Sequence, residues 1–223
     1  MQQLLAFASA LVALRLAGML ASRWRARRAP ELAAWSAALL AYSIACAALA
    51  GGAAAGWDDP VFRVYYLFGG LLSAPLLGAG SLLRSRQTWV APVALVYCGL
   101  AVGVMVAVPI HGHIGGSGIP AAQDHLDVFP ARVLAIVANS LGTLAVVSVA
   151  LLTIRRRPLG NGLILVGVGI AATGSALTGL GEAGTAVFFA LAALALYAGF
   201  VAPSSLQTAR ASLTLRHLAR LIP

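Results

Sequence analysis

The sequence lacks lysine entirely, so all 15 of its permanently basic residues are arginine. A retinal protein of the usual kind holds its pigment as a Schiff base on a lysine amine. Arginine cannot replace that amine because it stays protonated. The missing lysine therefore excludes retinal as a cofactor of this chain.

Charged residues of either sign are also scarce, at 9% of the chain against 61% hydrophobic residues. Soluble globular domains carry about 25% charged residues, so this composition excludes that class. The formal net charge of +9 would favour a nucleic-acid partner in a soluble protein, but in a membrane protein positive charge marks the cytoplasmic side. We therefore expect the lipid bilayer as partner, and no nucleic acid.

Cysteine is rare as well, with Cys46 and Cys98 the only two in the chain. Both fall inside apolar runs. The helical rise, counted from the inner boundary, places them at different depths in the membrane, which disfavours a disulfide between them. We expect both to be small, buried hydrophobic side chains.

Long apolar runs are abundant. A membrane-spanning helix needs about 20 mostly apolar residues, and the breaks between the runs alternate between arginine-rich segments and acidic, glycine-rich or histidine-bearing ones. The predicted spans are 3–22, 31–55, 60–83, 88–109, 128–153, 160–180 and 183–202. The sequence therefore predicts an all-α integral membrane protein, a seven-transmembrane-helix bundle over residues 1–203 followed by a tail over 204–223.

The distribution of arginine predicts the orientation of the bundle. Twelve arginines fall in one set of breaks, whereas the other set holds only Arg63 and Arg132 together with five of the six acidic residues. By the positive-inside rule the N-terminus lies outside and the C-terminus lies in the cytoplasm. Trp24, Trp35 and Trp89 at the inner boundary and Trp57 at the outer one fit an aromatic belt.

Two further patterns concern the surroundings of the bundle. In the tail, Ala211, Leu215, Leu218 and Ile222 share one helical face and Arg210, Arg216 and Arg220 lie elsewhere. This pattern predicts a basic amphipathic helix on anionic lipids of the inner leaflet. The richness in alanine, arginine and glycine is typical of bacterial coding, which indicates a bacterial cytoplasmic (inner) membrane.

Small residues at four-residue spacing predict close helix contacts, because small side chains let two backbones approach. The three stripes are Gly70, Ala74 and Gly78; Gly99, Gly103 and Ala107; and Gly167, Ala171, Ser175 and Gly179. We expect the third, fourth and sixth spans to lie at the centre of the bundle.

Arg63 and Arg132 stand in the first turns of two helices, where a cation opposes the helix dipole by about 0.3–1 kcal/mol. Asp59 lies four residues before Arg63 and can pair with it, but no acid lies three or four residues before Arg132. Arg132 therefore either binds an anion or forms an interhelical salt bridge. The acids available for that bridge are Asp58, Asp124 and Glu182.

Polar residues in the outer halves of the spans complete a hypothetical site. Tyr65, Tyr66 and Asn139, with Arg63 and Arg132, predict a pocket that opens outward; ordinary hydrogen bonding between helices is the alternative. Apart from Glu31 at the cytoplasmic start of the second span, no Asp, Glu or His lies within a predicted span. Their absence disfavours a proton-coupled pump, which normally needs such groups near the midplane.

The longest loop, 110–127, gathers histidine. His111, His113, Asp124 and His125 supply nitrogen and oxygen donors of the kind that zinc or copper binds, although their spacing matches no established motif. Four glycines predict a flexible segment, so solvated histidines are the alternative, and pH sensing is another. No other cofactor is expected.

Together these features favour a protein that binds or passes a small ligand or ion through an outward-facing polar vestibule, as a transporter or a sensor does. The alternative is a non-catalytic subunit or scaffold that packs against another membrane protein or a second copy of itself. A metal-dependent membrane enzyme comes third, because all candidate ligands lie in a loop and none on a spanning helix. We therefore expect no enzymatic activity.

Overall fold

The computed structural model describes residues 2–116, 118–177 and 185–201, and all regular structure in these ranges is helical. The α-helices are α1 Gln2–Arg27, α2 Pro30–Ala55, α3 Asp59–Tyr65, α4 Ser73–Arg84, α5 Val90–Ala107, α6 Ala122–His125, α7 Val133–Thr153, α8 Pro158–Leu177 and α9 Thr185–Val201. A π-helical stretch, Tyr66–Leu72, joins α3 to α4 and is called the π segment below. A second one, Val128–Arg132, leads into α7.

Five of the described helical stretches are long and apolar enough to cross a membrane, which makes the chain a multi-pass membrane protein. They are Gln3–Arg27, Pro30–Ala55, Asp59–Arg84, Val90–Ala107 and Val128–Thr153, and they coincide with the first five predicted spans. Where the sixth and seventh were predicted, the described residues hold the shorter apolar helices Pro158–Gly174 and Ala190–Gly199. Residues 178–184, which include Glu182, and the predicted tail at 204–223 lie outside the described residues.

The two ends of the bundle differ in charge. One end, called the acidic end below, carries Asp58, Asp59, Asp124 and Asp127. The arginine end carries Arg23, Arg25, Arg27, Arg28, Arg84, Arg86, Arg155, Arg156 and Arg157. The segregation of charge that the sequence predicts is therefore present in the folded chain.

Six helices form a closed ring: α1 packs on α2, α2 on α4, α4 on α7, α7 on α8, α8 on α9, and α9 returns to α1. Helix α5 lies outside this ring against α4 and the π segment. Its residues Leu95, Val96 and Val106 are each about three quarters exposed. The expectation that this fourth span is central was wrong, because no atom of the described residues lies within 4 Å of a Cβ built on Gly99 or Gly103. Small residues permit a close contact but do not create one.

The third span is central, as predicted, because α4 and α7 touch backbone to backbone. A Cβ added to Gly78 would lie 2.6 Å from both Cα and the carbonyl oxygen of Gly142. One added to Gly142 would meet the carbonyl group of Ala74. In the α8–α9 pair, Gly160 and Gly199 approach each other in the same way, and Leu196 packs over Gly167. Gly179 of the sixth-span stripe lies outside the described residues.

Trp57 departs from the predicted aromatic belt, because its side chain is only 3% exposed. The indole packs over Gly52, where a Cβ would lie 2.5 Å from the ring, and meets Tyr65 edge-on with ring centroids 5.4 Å apart. Trp89 at the arginine end is 59% exposed and keeps the interfacial position expected of it. Cys46 and Cys98 are free thiols, as predicted, but only Cys46 is fully buried and Cys98 is partly exposed.

Candidate binding cavity

A cavity of about 480 Å³ lies between α2, the α3–π-segment junction and α7, at the acidic end of the bundle. Its volume falls within the range of about 300–1,000 Å³ that is typical of small-molecule sites. The lining residues are Tyr42, Ala45, Cys46, Leu49, Phe62, Tyr65, Tyr66, Gly69, Gly70, Ile119, Pro120, Ala121, Ala122, Gln123, Ala135, Ile136 and Asn139. No charged side chain occurs in this set, so the described wall of the cavity is neutral.

Of the residues predicted for the outward-facing site, Tyr65, Tyr66 and Asn139 line this cavity. Those that do not line it are Arg63, Arg132, Asp58 and Asp59, and Glu182 lies outside the described residues. The structure adds Tyr42 and Cys46, whose hydroxyl and thiol interact one turn apart on α2. Their spacing of four residues places them on one helical face. That spacing was visible in the sequence, but only the packing of α2 on the π segment shows that this face meets the cavity.

A missing backbone donor shapes the wall on the side of the π segment. Pro75 has no N–H, so the carbonyl of Leu71, four residues earlier, cannot accept the usual helical hydrogen bond. The hydroxyl of Tyr97 on α5 donates to that carbonyl at 2.6 Å. Within a bilayer an unpaired carbonyl costs several kcal/mol, so this bond explains how a proline is accommodated in the middle of the span.

Asn139 of α7 bonds to the π segment and also lines the cavity. Its Nδ2 donates to the carbonyl of Gly70 at 2.7 Å, which fixes the orientation of the amide. Its Oδ1 is buried and has no hydrogen-bond partner among the described residues. Because more than about 90% of buried polar atoms in proteins are paired, an unpaired Oδ1 beside the cavity is unusual.

Arg63, one of the two predicted arginines, serves α5 instead of the cavity. Its Nη1 donates to the carbonyl of Met105, which has no helical donor because it lies in the last turn of α5. A guanidinium at the C-terminal end of a helix also interacts favourably with the helix dipole. The expected pair with Asp59 is not among the ion pairs of the described residues, since Arg63 reaches across to α5.

Asp58 is the N-cap of α3, because its side chain accepts a hydrogen bond from the backbone N–H of Val61 at 2.8 Å. Asp59 stands in the first turn of the same helix, where a carboxylate suits the dipole. Neither residue lines the cavity. Both serve the start of α3, which carries Phe62, Tyr65 and the π segment into place.

Arg132 is half-buried at the entrance to α7, and its charge acts on the hydroxyl of Tyr66. It does not line the cavity, and no acid of the described residues lies within 4.0 Å of its guanidinium. Asp58 is engaged at the N-terminus of α3 and Asp124 is exposed on α6, so neither forms the predicted salt bridge. The third predicted partner, Glu182, lies outside the described residues.

The loop between α5 and α7 covers the cavity, and its described part packs instead of remaining open. Its buried residues are Val108, Ile114 and Leu126. The backbone N–H of Trp57 donates to the carbonyl of Gly116 at 3.0 Å, which ties the loop to the start of α3. Residues 119–123 form the cover. The glycines predicted a flexible loop, but the apolar residues between them anchor it.

The histidines of this loop contact protein groups. The Nε2 of His111 lies 3.1 Å from Oδ2 of Asp127. His125 donates from Nδ1 to the carbonyl of His111 at 2.9 Å, and its ring meets Phe62 edge-on. Across the described residues, no group of three or more His, Cys, Asp or Glu side chains is arranged to hold a metal ion. Zinc or copper binding by His111, His113, Asp124 and His125 stays a prediction.

Comparison with known proteins found no relative of this chain: no family model, no curated protein and no solved structure matches it.

Proposed function

We propose that this chain is a seven-span bacterial inner-membrane protein, N-terminus outside and C-terminus cytoplasmic, that binds a small molecule in the cavity at its acidic end. The observation that carries the proposal is the cavity of about 480 Å³ lined by Asn139, whose Oδ1 is buried without a partner among the described residues. In this orientation the acidic end faces outward, so the ligand enters from outside the cell.

The composition of the wall favours a neutral ligand. None of the described lining residues is charged, and an ion in a neutral, partly apolar site would lose its hydration without compensation. The hydroxyls of Tyr42, Tyr65 and Tyr66 and the amide of Asn139 offer donors and acceptors, while the aromatic rings favour an apolar or planar portion. We therefore infer a small neutral molecule that donates at least one hydrogen bond.

Passage across the membrane is supported by a second cavity, of about 630 Å³, at the arginine end. Helices α2 and α7 line both cavities, whereas the π segment lines only the acidic-end cavity and α4 only the arginine-end one. The contact between Gly78 and Gly142 lies between the two cavities. Along α7, Asn139 and Val146 line opposite cavities only seven residues apart, or about 10 Å at 1.5 Å per residue. A small tilt of α7 against α4 at this contact would open one cavity and close the other.

The test compares two variants that each remove one hydrogen bond to the π segment. Asn139→Leu removes the cavity acceptor together with the bond to Gly70, whereas Tyr97→Phe removes only the neighbouring bond to Leu71. Full-length protein is purified from its native membrane in mild detergent, and small molecules released on denaturation are identified by mass spectrometry. We expect one neutral compound in wild type and in Tyr97→Phe, and none in Asn139→Leu.

Adding the released compound back to the purified protein should raise the melting temperature of wild type but not that of Asn139→Leu. Wild-type protein that carries no compound would contradict the proposal. Equal retention by both variants would contradict it as well, because the cavity acceptor would then be irrelevant.

The scaffold remains the second candidate function, and the position of α5 favours it. Gly99 and Gly103 are exposed on this peripheral helix, with no atom within 4 Å of an added Cβ, so another membrane helix could approach closely there. Gly99→Leu together with Gly103→Leu should dissociate a complex that uses this face, as measured by the mass of the protein extracted from native membranes. The metal-dependent enzyme stays the third hypothesis.

A further inference from the structure

The cavity at the arginine end differs in chemistry from the one at the acidic end. It has a volume of about 630 Å³ and lies between α2, α4, α7 and α8. The lining residues are Trp35, Ser81, Arg84, Ser85, Arg86, Val146, Val149, Ala150, Thr153, Arg156, Arg157, Asn161 and Ile164. Four of these are arginines, and they come from two separate turns of the chain that meet at the same opening.

Positive charge at this opening exceeds negative charge. Glu31 is the one acidic residue that the described part of the chain places at the arginine end. Its Oε1 lies 3.6 Å from Nη1 of Arg84. Arg86, Arg156 and Arg157 line the same cavity as Arg84, so four arginines border it.

Arg157 is held in place at the inner side of this group. Its Nη2 lies 3.4 Å from the carbonyl oxygen of Gly199 in α9, to which it donates. Burial, together with the charges of Arg84 and Arg23, lowers the pKa of Arg157. Arg157 and Arg84 are thus close enough for their charges to repel each other, and an anion between them would relieve that repulsion.

Deeper in the cavity the wall is neutral and ordered. Asn161 is only 7% exposed, and its Nδ2 donates to Oγ1 of Thr153 at 2.8 Å. Thr153 in turn donates to the carbonyl of Val149 at 2.6 Å. Trp35, Val146 and Ile164 make the rest of the interior mostly apolar. An anionic group therefore fits at the rim, and an apolar or neutral remainder fits below it.

We propose that this cavity binds a phosphate-bearing anion, with its phosphate among Arg84, Arg86, Arg156 and Arg157. The planar, multiply donating guanidinium matches the oxygens of a phosphate, and basic pockets between membrane helices are suited to anionic head groups. Such a phosphate belongs either to a lipid head group or to a soluble ion. The site shares no side chain with the acidic-end cavity, so it stands independently of the function proposed above.

The experiment titrates the full-length protein, in a neutral detergent and at constant ionic strength, with three probes. These are inorganic phosphate, dioctanoyl phosphatidylglycerol and dioctanoyl phosphatidylcholine, and binding is measured by calorimetry. The cavity variant combines Arg86→Gln with Arg156→Gln. The control variant combines Arg25→Gln with Arg155→Gln, which removes the same charge from the same end but from residues that do not line the cavity. All four side chains are exposed, so both variants should fold.

We expect saturable binding of an anionic probe to wild type, weakened about tenfold or more in the cavity variant and little changed in the control. Binding of phosphatidylglycerol without phosphate identifies a lipid head group, and binding of inorganic phosphate identifies a soluble ion. If wild type binds neither probe, or binds phosphatidylcholine as tightly as phosphatidylglycerol, the proposal is wrong. Equal weakening in both variants would show general surface charge instead of a site, and would also overturn it.

Discussion

At the scale of single residues, backbone carbonyls without a helical donor are paired by side chains from other helices. Pro75 leaves the carbonyl of Leu71 without a donor, and the end of α5 at Ala107 leaves that of Met105 without one. Tyr97 donates to the first of these carbonyls and Arg63 to the second. Tyr97 and Arg63 thus each pair a backbone carbonyl of another helical segment. This explains why Arg63 does not line the cavity.

Replacing Tyr97 by phenylalanine removes one hydroxyl and leaves the Leu71 carbonyl unpaired within the membrane. We expect the free energy of unfolding to fall by about 0.5–2 kcal/mol, the usual worth of a hydrogen bond between membrane helices. Unfolding in mixed detergent micelles measures this change. The matched control is Tyr197→Phe, because the Tyr197 hydroxyl makes no hydrogen bond within the described residues. An equal loss in the control would mean that the Leu71 bond does not matter.

At the scale of elements, the glycine-to-glycine contact of α4 and α7 separates the two cavities. Helices in lipid gain little from the hydrophobic effect on association, so van der Waals contact between close backbones holds them together. Gly78 and Gly142 allow this approach because a side chain on either would overlap the opposite backbone. The stripe on α5 has the same spacing but meets no helix.

Gly142→Ala should therefore separate α4 from α7, because the new methyl group would overlap the Ala74 carbonyl and lie 2.8 Å from Cα of Pro75. Overpacking of this kind costs about 1–3 kcal/mol, and the surrounding atoms are backbone that cannot rotate away. Gly99→Ala meets open space and should stay within about 1 kcal/mol of wild type, since alanine favours the helix. Melting temperatures in detergent compare the two. Similar values for both variants would refute the importance of the crossing.

At the scale of the whole molecule, charge is divided between the two ends and each end has its own cavity. The described wall at the acidic end is neutral, and the one at the arginine end carries four guanidiniums. If the arginine end faces the cytoplasm, as the positive-inside rule requires, the two cavities open to different compartments and select different chemistry.

The proposed topology predicts which positions a membrane-impermeant thiol reagent reaches in intact cells. With Cys46 and Cys98 replaced by alanine, cysteines at positions 117 and 182 should be labelled, and cysteines at 26, 85 and 156 should be labelled only after the membrane is opened. The proposed topology assigns the breaks at positions 117 and 182 to the outer side, and the other three positions lie in arginine-rich breaks. Labelling of position 156 from outside would overturn both the seven-span count and the orientation.

The sequence by itself determined the class of the protein and the first five spans. Length and hydropathy suffice for this, because a bilayer demands about 20 apolar residues per helix whatever their neighbours are. The separation of arginine and aspartate at opposite ends of the bundle follows equally directly from the order of the breaks between the spans. The sequence also predicted that Tyr65, Tyr66 and Asn139 share a site, because they lie at a similar depth on two different spans.

Only the tertiary structure decided which polar residue faces which partner, because helix depth does not determine rotation or neighbours. Arg63 and Arg132 share the depth of the tyrosines but do not line the cavity. Tyr42 and the cover at 119–123 line the cavity because of the way that α2 and the loop pack. The four arginines of the other cavity form two pairs that are distant from each other in sequence. They line a common cavity because α4 and α7 end side by side. Long-range packing of this kind leaves no local signal in the order of residues, since it depends on how whole helices cross.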